Sequence, residues 1–189
     1  MTRNVPTAMK HQPCRWLYKP AILICLVLGP HALRAADQSL EYRVKAAFLL
    51  NFTKFIEWPP AAFGQPDSPI SICILGEDPF GPALDQTVTG EVVNGRRVIV
   101  QRIKRAPSPG SCQVLFISRS ERDVAAVLTG LGPGVLSIGE GEGFIHNGGM
   151  IGFVIENRRV RFGINEAAAE NAGIKLSSKL LNVAATVER

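Results

Sequence analysis

The sequence has few residues of the kinds that metal sites and most hydrolases use. Its 189 residues include four Cys and three His, and two of each lie before residue 37. The remainder has a single histidine, His146. A zinc or iron site needs several Cys or His ligands, and a serine or cysteine hydrolase needs an imidazole beside its nucleophile. We therefore expect no metal, no cofactor and no catalytic residues, and these patterns nominate no enzymatic activity.

Acidic residues are absent from residues 1–36, which contain five Lys or Arg. The net charge of +5 belongs to this segment, because the other 16 basic residues are balanced by 16 acidic ones. An uncharged apolar run follows at 21–28, with small residues after it. This order is typical of a secretory signal peptide. We predict export to the periplasm, cleavage near Ala35 or Ala36, and a mature domain over residues 37–189.

The sequence also lacks a long hydrophobic run after this segment. A membrane-spanning helix needs about 20 apolar residues, and the run at 21–28 is far shorter. We predict no membrane span in the mature protein, with an uncleaved N-terminal anchor as the alternative.

Charge of one sign is not in excess in the predicted mature domain, which argues against nucleic acid as a partner. Five cations nevertheless cluster at 96–105 and acids predominate at 37–95. This pattern predicts a polarised surface that would suit a charged protein or lipid surface better than nucleic acid. The alternative is that these cations are the solvated face of one strand and its loop.

Apolar runs alternate with helical patterns along the rest of the chain. Apolar residues recur at helical spacing over 40–55, and the compact runs that predict strands are 70–75, 97–103, 112–118 and 135–138. Residues 150–164 predict a hairpin that turns at 156–159, and two helical patterns follow it. Near-continuous apolar strands that alternate with helices indicate a sheet covered on both faces. We expect a single three-layer α/β domain, with a central mixed β-sheet, helices on both faces, and a C-terminal β-hairpin followed by helices.

Two cysteines, Cys73 and Cys112, remain in the predicted mature domain, one within a predicted strand and one at the start of another. An exported protein can form disulfides. A bridge between these residues requires neighbouring strands with Cα atoms within about 7 Å. Two buried free thiols are the alternative.

Six motifs follow one another along the predicted mature domain. They are YRVKAAFLLNFTKF at 42–55 with Trp58-Pro59, ICILGEDPFG at 72–81, CQVLFIS at 112–118, GGMI at 148–151, NRRVRF at 157–162 with Ile164-Asn165, and AGIKLSSKLL at 172–181. In this order they resemble the YfiR family of exported bacterial proteins. The resemblance extends over about residues 39–185, nearly the whole of the predicted domain.

The resemblance implies a periplasmic regulatory protein that is not an enzyme, often dimeric, with an α/β fold. The best-understood members bind the periplasmic part of an inner-membrane diguanylate cyclase and hold it inactive. They thereby lower cyclic-di-GMP signalling and biofilm formation, and an outer-membrane lipoprotein can sequester them. Because the family also occurs beside histidine kinases, a sensor kinase is the alternative membrane partner. The resemblance also implies the disulfide between Cys73 and Cys112.

Six residues are candidates for contact with a partner: Trp58, Gly148, Gly149, Asn157, Arg158 and Arg159. Tryptophan is enriched among interface anchors, and the other five lie in predicted loops. Each also has a structural alternative, since Trp58 can cap the core while Asn157 and Gly148 can satisfy turn geometry.

Three functions are compatible with these patterns. The first is a periplasmic negative regulator that binds and inhibits a membrane diguanylate cyclase. The second is a small-ligand-binding sensory module, acting with a histidine kinase or an outer-membrane receptor, with a pocket between the sheet ends and residues 139–149. The third is a hydrolase without a recognisable motif that would use His146.

Overall fold

The computed structural model describes residues 39–108 and 110–189. The predicted signal peptide and its cleavage site lie outside the described residues. The strands are β1 (Ile56–Glu57), β2 (Ile70–Leu75), β3 (Val92–Val93), β4 (Arg96–Ile103), β5 (Val114–Ile117), β6 (Leu136–Glu140), β7 (Ile151–Glu156), β8 (Arg159–Asn165), β9 (Lys175–Leu176) and β10 (Thr186–Glu188). The helices are α1 (39–54), α2 (Pro82–Val88), α3 (Val124–Thr129), α4 (Gly143–His146), α5 (Glu166–Asn171) and α6 (Ser178–Val183), with a 3-10 turn at Pro60–Ala62.

Within the described residues, eight strands form one sheet in the order β10-β8-β7-β6-β5-β2-β4-β3. The five strands from β7 to β4 run parallel to one another. Strand β8 runs antiparallel to β7, and β3 runs antiparallel to β4. Strand β10 pairs with β8 in parallel, while β1 and β9 form a separate antiparallel pair. The sheet is therefore mixed, as predicted.

Apolar side chains cover both faces of this sheet. All six residues of β2 are buried, and the alternation of a strand sends them to opposite faces. Ile72 and Ile74 belong to a core that includes apolar residues of α1 and α2. Cys73 and Leu75 belong to a second core, against which residues of α3 pack. Helices therefore lie on both faces, which confirms the predicted three-layer α/β domain.

A disulfide joins Cys73 of β2 to Cys112, which lies two residues before β5. Their Cα atoms are 6.0 Å apart, and β2 and β5 are neighbours in the sheet. Both cysteines are buried in the second core. The bridge therefore fixes the start of one central strand to the middle of the next, and the alternative of two free thiols is wrong.

We expect the double variant Cys73→Ala/Cys112→Ala to be less stable by roughly 4 kcal/mol, because the bridge restricts a loop of about 40 residues in the unfolded chain. Urea unfolding under oxidising conditions measures the difference. As a control, reductant should lower the midpoint of the original protein and leave that of the variant unchanged. Equal midpoints for the two oxidised proteins would contradict a stabilising bridge.

Candidate partner-binding site

The turn of the β7–β8 hairpin has an unusual backbone. Glu156 pairs with Arg159, which leaves Asn157 and Arg158 as a two-residue turn. Both have positive φ, 50° and 61°, as a type I′ turn requires. Asn tolerates this region well, whereas Arg does not. Arg158 is therefore held in a backbone conformation that a glycine would adopt at lower cost.

The hairpin tip presents arginine side chains to solvent. Arg158, Arg159 and Arg161 are all exposed, and Glu156 is the acidic residue opposite Arg159. Guanidinium groups bind carboxylates through two parallel hydrogen bonds. The tip, defined here as residues 156–161, therefore presents exposed groups of the kind that pair with carboxylates.

A buried ionic cluster joins α1 to the end of β6. The side chain of Lys45 is 1% exposed and its Nζ contacts carboxylate oxygens of both Glu41 and Glu140. The hydroxyl of Tyr42 donates to Glu140 Oε2 over 3.2 Å. The Nε of Arg119 lies 3.0 Å from the same oxygen. Two acidic and two basic groups therefore balance at this end of the sheet.

The neighbours of this cluster restrict its access to water. The Lys45 Nζ lies 4.6 Å from the centre of the Tyr42 ring and 5.8 Å from that of Phe153. Burial, and secondarily the negative charge of Glu140, raise the pKa of Tyr42 to about 12. The phenol therefore stays protonated near neutral pH and keeps its hydrogen bond to Glu140.

Breaking a buried ion pair on one side leaves a charge without its partner, which is costly. We therefore expect Lys45→Met to lower the free energy of unfolding by about 3 kcal/mol. The double variant Lys45→Met/Glu140→Met should lose less than the sum of the two single variants, with a coupling of about 1 kcal/mol or more. Chemical unfolding of the four proteins measures this cycle.

The same helix provides the control. Lys54 lies 3.2 Å from Glu91 with both side chains well exposed, 40% and 38%. An exposed pair contributes about 0–1 kcal/mol, so Lys54→Met should change stability little. Equal losses for Lys45→Met and Lys54→Met would show that the buried pair does not hold α1.

Gly148 and Gly149 have clear structural roles. Gly148 has a φ of +91°, a conformation that other residues adopt only with strain. A Cβ on Gly149 would lie 2.1 Å from the ring of Phe144, and one on Gly139 would lie 2.3 Å from it. These glycines therefore let Phe144 of α4 lie flat against the sheet.

A shallow groove of about 170 Å³ lies behind the hairpin. Its floor includes Gly152 and Gly163, which are directly paired across β7 and β8. Glu142 and His146 also line it. The groove occupies the place predicted for a ligand pocket, beside the 139–149 segment. His146 is exposed, and its Nδ1 lies 2.5 Å from Glu188 Oε1 of β10.

Trp58 packs against the protein itself. Its ring centre lies 6.4 Å from that of Phe63 in an edge-to-face arrangement, and its Nε1 donates to the Gln113 carbonyl over 3.3 Å. Gln113 is buried, and its side-chain nitrogen donates to the carbonyl of Ala62 over 2.6 Å. Trp58 therefore takes part in a network that fixes the turn after α1 to the start of β5.

The structure does not bring the six predicted residues into one site. Strands β5, β6 and β7 are parallel, so they begin at one edge of the sheet and end at the other. Trp58 bonds to the residue before β5, and Gly148 and Gly149 precede β7, so these three lie at the starting edge. Asn157, Arg158 and Arg159 lie beyond the end of β7, at the opposite edge.

Part of the predicted cationic surface is engaged within the protein. The Arg102 guanidinium binds the carboxylates of Asp78 and Asp85, and its charge holds the pKa of Asp85 below its usual range. Arg96 donates to the Ser68 carbonyl over 2.5 Å. The run at 96–105 is therefore less available to a partner than its composition indicates.

Two further properties concern the described residues, 39–108 and 110–189. No group of three or more His, Cys, Asp or Glu in them could hold a metal ion. None of the helices in these ranges is long and apolar enough to cross a membrane.

A family model described as YfiR/HmsC-like matches residues 42–185. The chain belongs to the YfiR/HmsC-like family. This family comprises periplasmic regulators of diguanylate cyclases rather than enzymes, and the resemblance found in the sequence is confirmed. The buried ionic cluster, except Glu41, and the whole hairpin lie within the segment matched by the YfiR/HmsC-like model.

Solved structures and curated proteins add little to the family assignment. A crystal structure of a conserved domain protein from Vibrio cholerae O1 biovar El Tor strain N16961 is similar at a TM-score of 0.45 and 10% identity. The match covers 62% of this chain and 54% of that chain, so that this YfiR/HmsC-like protein spans about half the length of its structural neighbour. A comparison with curated proteins finds no match.

Sequence reasoning missed the ionic cluster, although one signal for it is present. Lys45 lies one turn from Tyr42 and Leu49, both of which are buried on α1. A lysine on the apolar face of a helix indicates a buried partner. The partner is Glu140, which lies 95 residues away in the chain. No feature of the sequence identifies it as the partner of Lys45.

Proposed function

We propose that this protein is a periplasmic negative regulator that binds and inhibits the periplasmic part of an inner-membrane diguanylate cyclase. It would thereby lower cyclic-di-GMP signalling and biofilm formation. Membership of the YfiR/HmsC-like family over residues 42–185 carries this proposal. In this proposal the protein acts by binding and not by catalysis, and an outer-membrane lipoprotein is a second partner that can sequester it.

The proposed contact with the cyclase is the hairpin tip. Its three arginines are exposed, and Arg158 keeps a strained backbone where glycine would be favoured. Strained residues persist mainly where their side chains serve a purpose. The proposed partner segment therefore carries carboxylates that bind Arg158 and Arg159.

The proposal includes export. Residues 1–36 would act as a signal peptide that is cleaved near Ala35 or Ala36, and residues 37–189 would form the working domain. Removal of this segment takes away the five cations that give the chain its net charge of +5. The regulator would then be neutral overall, with three exposed arginines at the hairpin tip.

The variant Arg158→Gly should change the stability of the protein and its partner binding in opposite directions. Relief of the strained backbone should raise the free energy of unfolding by about 1 kcal/mol, while loss of the guanidinium should weaken partner binding. In a bacterium from which the gene has been deleted, we expect raised cyclic-di-GMP and surface attachment. The original gene should reverse both effects, and Arg158→Gly/Arg159→Ala should not.

Arg122→Ala is the matched control, since Arg122 is an exposed arginine outside the hairpin and this variant should restore repression. Unchanged cyclic-di-GMP after deletion would overturn regulation of a cyclase. Full repression by the doubly substituted hairpin would overturn only the assignment of the contact surface.

The groove behind the hairpin favours a second candidate, a small-ligand-binding sensory module. Glu142 and Glu156 both line it, so a small cationic metabolite is the ligand class that fits. A screen of such metabolites should raise the melting temperature of the original protein, and Val154→Trp, which fills the groove, should abolish that shift. Equal shifts for both proteins would exclude the groove as the site.

A further inference from the structure

Strand β4 lies near one edge of the sheet, and most of its length is paired on one side only. Residues 98–103 pair with β2. On the other side lies β3, whose two residues pair with Arg96 and Arg97. In residues 39–108 and 110–189 no other strand pairs with this side of β4. Residues 99–103 therefore form a free edge of the sheet, which we call the β4 edge.

Alternate residues of this strand direct their backbone groups away from β2. The N–H of Val98 donates to the carbonyl of Glu91 over 3.0 Å, on the β3 side. Successive residues of a strand direct their N–H and C=O groups to opposite sides, so Val100 and Arg102 point to the same side as Val98. Among the described residues, no hydrogen bond reaches the backbone of either one on that side. Val100 is half-buried and Arg102 is exposed, so a further strand can pair here.

Three free cations flank the β4 edge. Arg97 precedes it, and Lys104 and Arg105 follow it. All three side chains are exposed, and in the part of the chain that the structure describes none of them forms an ion pair. Natural proteins use charged residues to prevent unwanted pairing at a free edge. The positive sign of these three therefore limits which segments can pair with β4.

The acidic residues that approach β4 are engaged by other cations. The carboxylates of Asp78 and Asp85 bind the guanidinium of Arg102. Glu91, which lies beside β3, pairs through its side chain with Lys54. The three cations that flank the β4 edge are therefore left for carboxylates of another molecule.

The spacing of the cations sets the length of the segment that fits. From Arg97 to Lys104 the strand extends about 23 Å. An extended segment of about seven residues covers this distance, so carboxylates at its two ends would lie at Arg97 and at Lys104 and Arg105. A second copy of this chain fits poorly, because a two-fold axis would bring the same cations against one another. Like charges opposite each other destabilise a strand pair.

We propose that the β4 edge is a docking site for an extended acidic segment of another protein, which adds a strand to the sheet in line with β3. Backbone hydrogen bonds to Val100 and Arg102 provide affinity in this mode of recognition. The flanking cations provide specificity for carboxylates. This surface is distinct from the hairpin tip, because four strands separate β4 from β8 in the sheet. The inference does not depend on the proposed regulation of a cyclase.

Fluorescence anisotropy with a synthetic peptide tests the docking. The probe is a labelled peptide of alternating valine and threonine with two glutamates at each end, long enough to span the edge. We expect the purified protein to bind it saturably. The variant Arg97→Ala/Lys104→Ala/Arg105→Ala should bind it about tenfold more weakly, because three exposed ion pairs are lost together. A probe with lysines in place of the glutamates should not bind. Failure of the original protein to bind the acidic probe would overturn the proposal.

A matched triple variant distinguishes this surface from the hairpin tip. Arg158→Ala/Arg159→Ala/Arg161→Ala removes the same number of exposed cations and should bind the probe with nearly the affinity of the original protein. Loss of binding in this variant, with binding retained in the variant of the β4 edge, would place the probe at the tip. The β4 edge would then not be the docking site.

Changes to backbone groups test the addition of a strand. Val100→Pro removes an outward N–H and should abolish binding of the probe. The sheet should still form, with an unchanged far-UV spectrum, because proline is tolerated on an edge strand where its nitrogen faces solvent. N-methylated probes test the same point on the original protein. Since alternate amides of an added strand face β4, methylation of one alternate set should abolish binding and methylation of the other should not. Undiminished binding of both methylated probes would show that charge alone holds the peptide, which contradicts strand addition.

Discussion

The ion pair between Lys45 and Glu140 fixes α1 to the end of β6 and thereby sets the rotation of this helix against the sheet. Apolar contacts alone resist the rotation of a helix weakly, because they are non-directional. A buried lysine that must meet carboxylates is directional, since any other rotation leaves charges without partners. Each residue advances a helix by about 100°, so this one contact determines which side chains face the sheet and which face solvent. The packing of Phe48 against Phe162 of the hairpin follows from it.

The second constraint is the row of glycines under α4. A Cβ on Gly163 would lie 2.8 Å from Ile145 Cδ1, and Gly139 and Gly149 similarly make room for Phe144. The helix therefore approaches the sheet more closely than side chains would allow, and the groove behind the hairpin is shallow. Gly148 and Gly149 were predicted to contact a partner, and each also has a structural role, since Gly148 has a positive φ and Gly149 makes room for Phe144. Glycine composition alone cannot distinguish these two uses, because both require the absence of a side chain.

Most of the fold follows from patterns that are local in sequence. The run at 70–75 coincides with β2, and the hairpin turns where Asn157 tolerates a positive φ. The short elements β1, β9, β10 and α4 were not predicted, since two to four residues carry no period and are stabilised by partners distant in the chain. The candidate site was predicted less well. Sequence patterns distinguish loops from strands, but they do not give the direction of each strand in the sheet. Strand direction decides at which end of the sheet a loop lies. For this reason Trp58 and Arg158, predicted for one site, lie at opposite ends of the strands.

The charged residues illustrate the same limit, because sequence alone does not show which cations are paired within the fold. The five cations at 96–105 look like a basic patch, yet Arg102 is bound by Asp78 and Asp85, and Arg96 stacks on Phe63 at 3.8 Å. In the described residues, Arg97, Lys104 and Arg105 of this run are exposed and form no ion pair, so the run has three free cations, as many as the hairpin tip. Composition therefore overstates this patch by the two arginines that the fold itself engages.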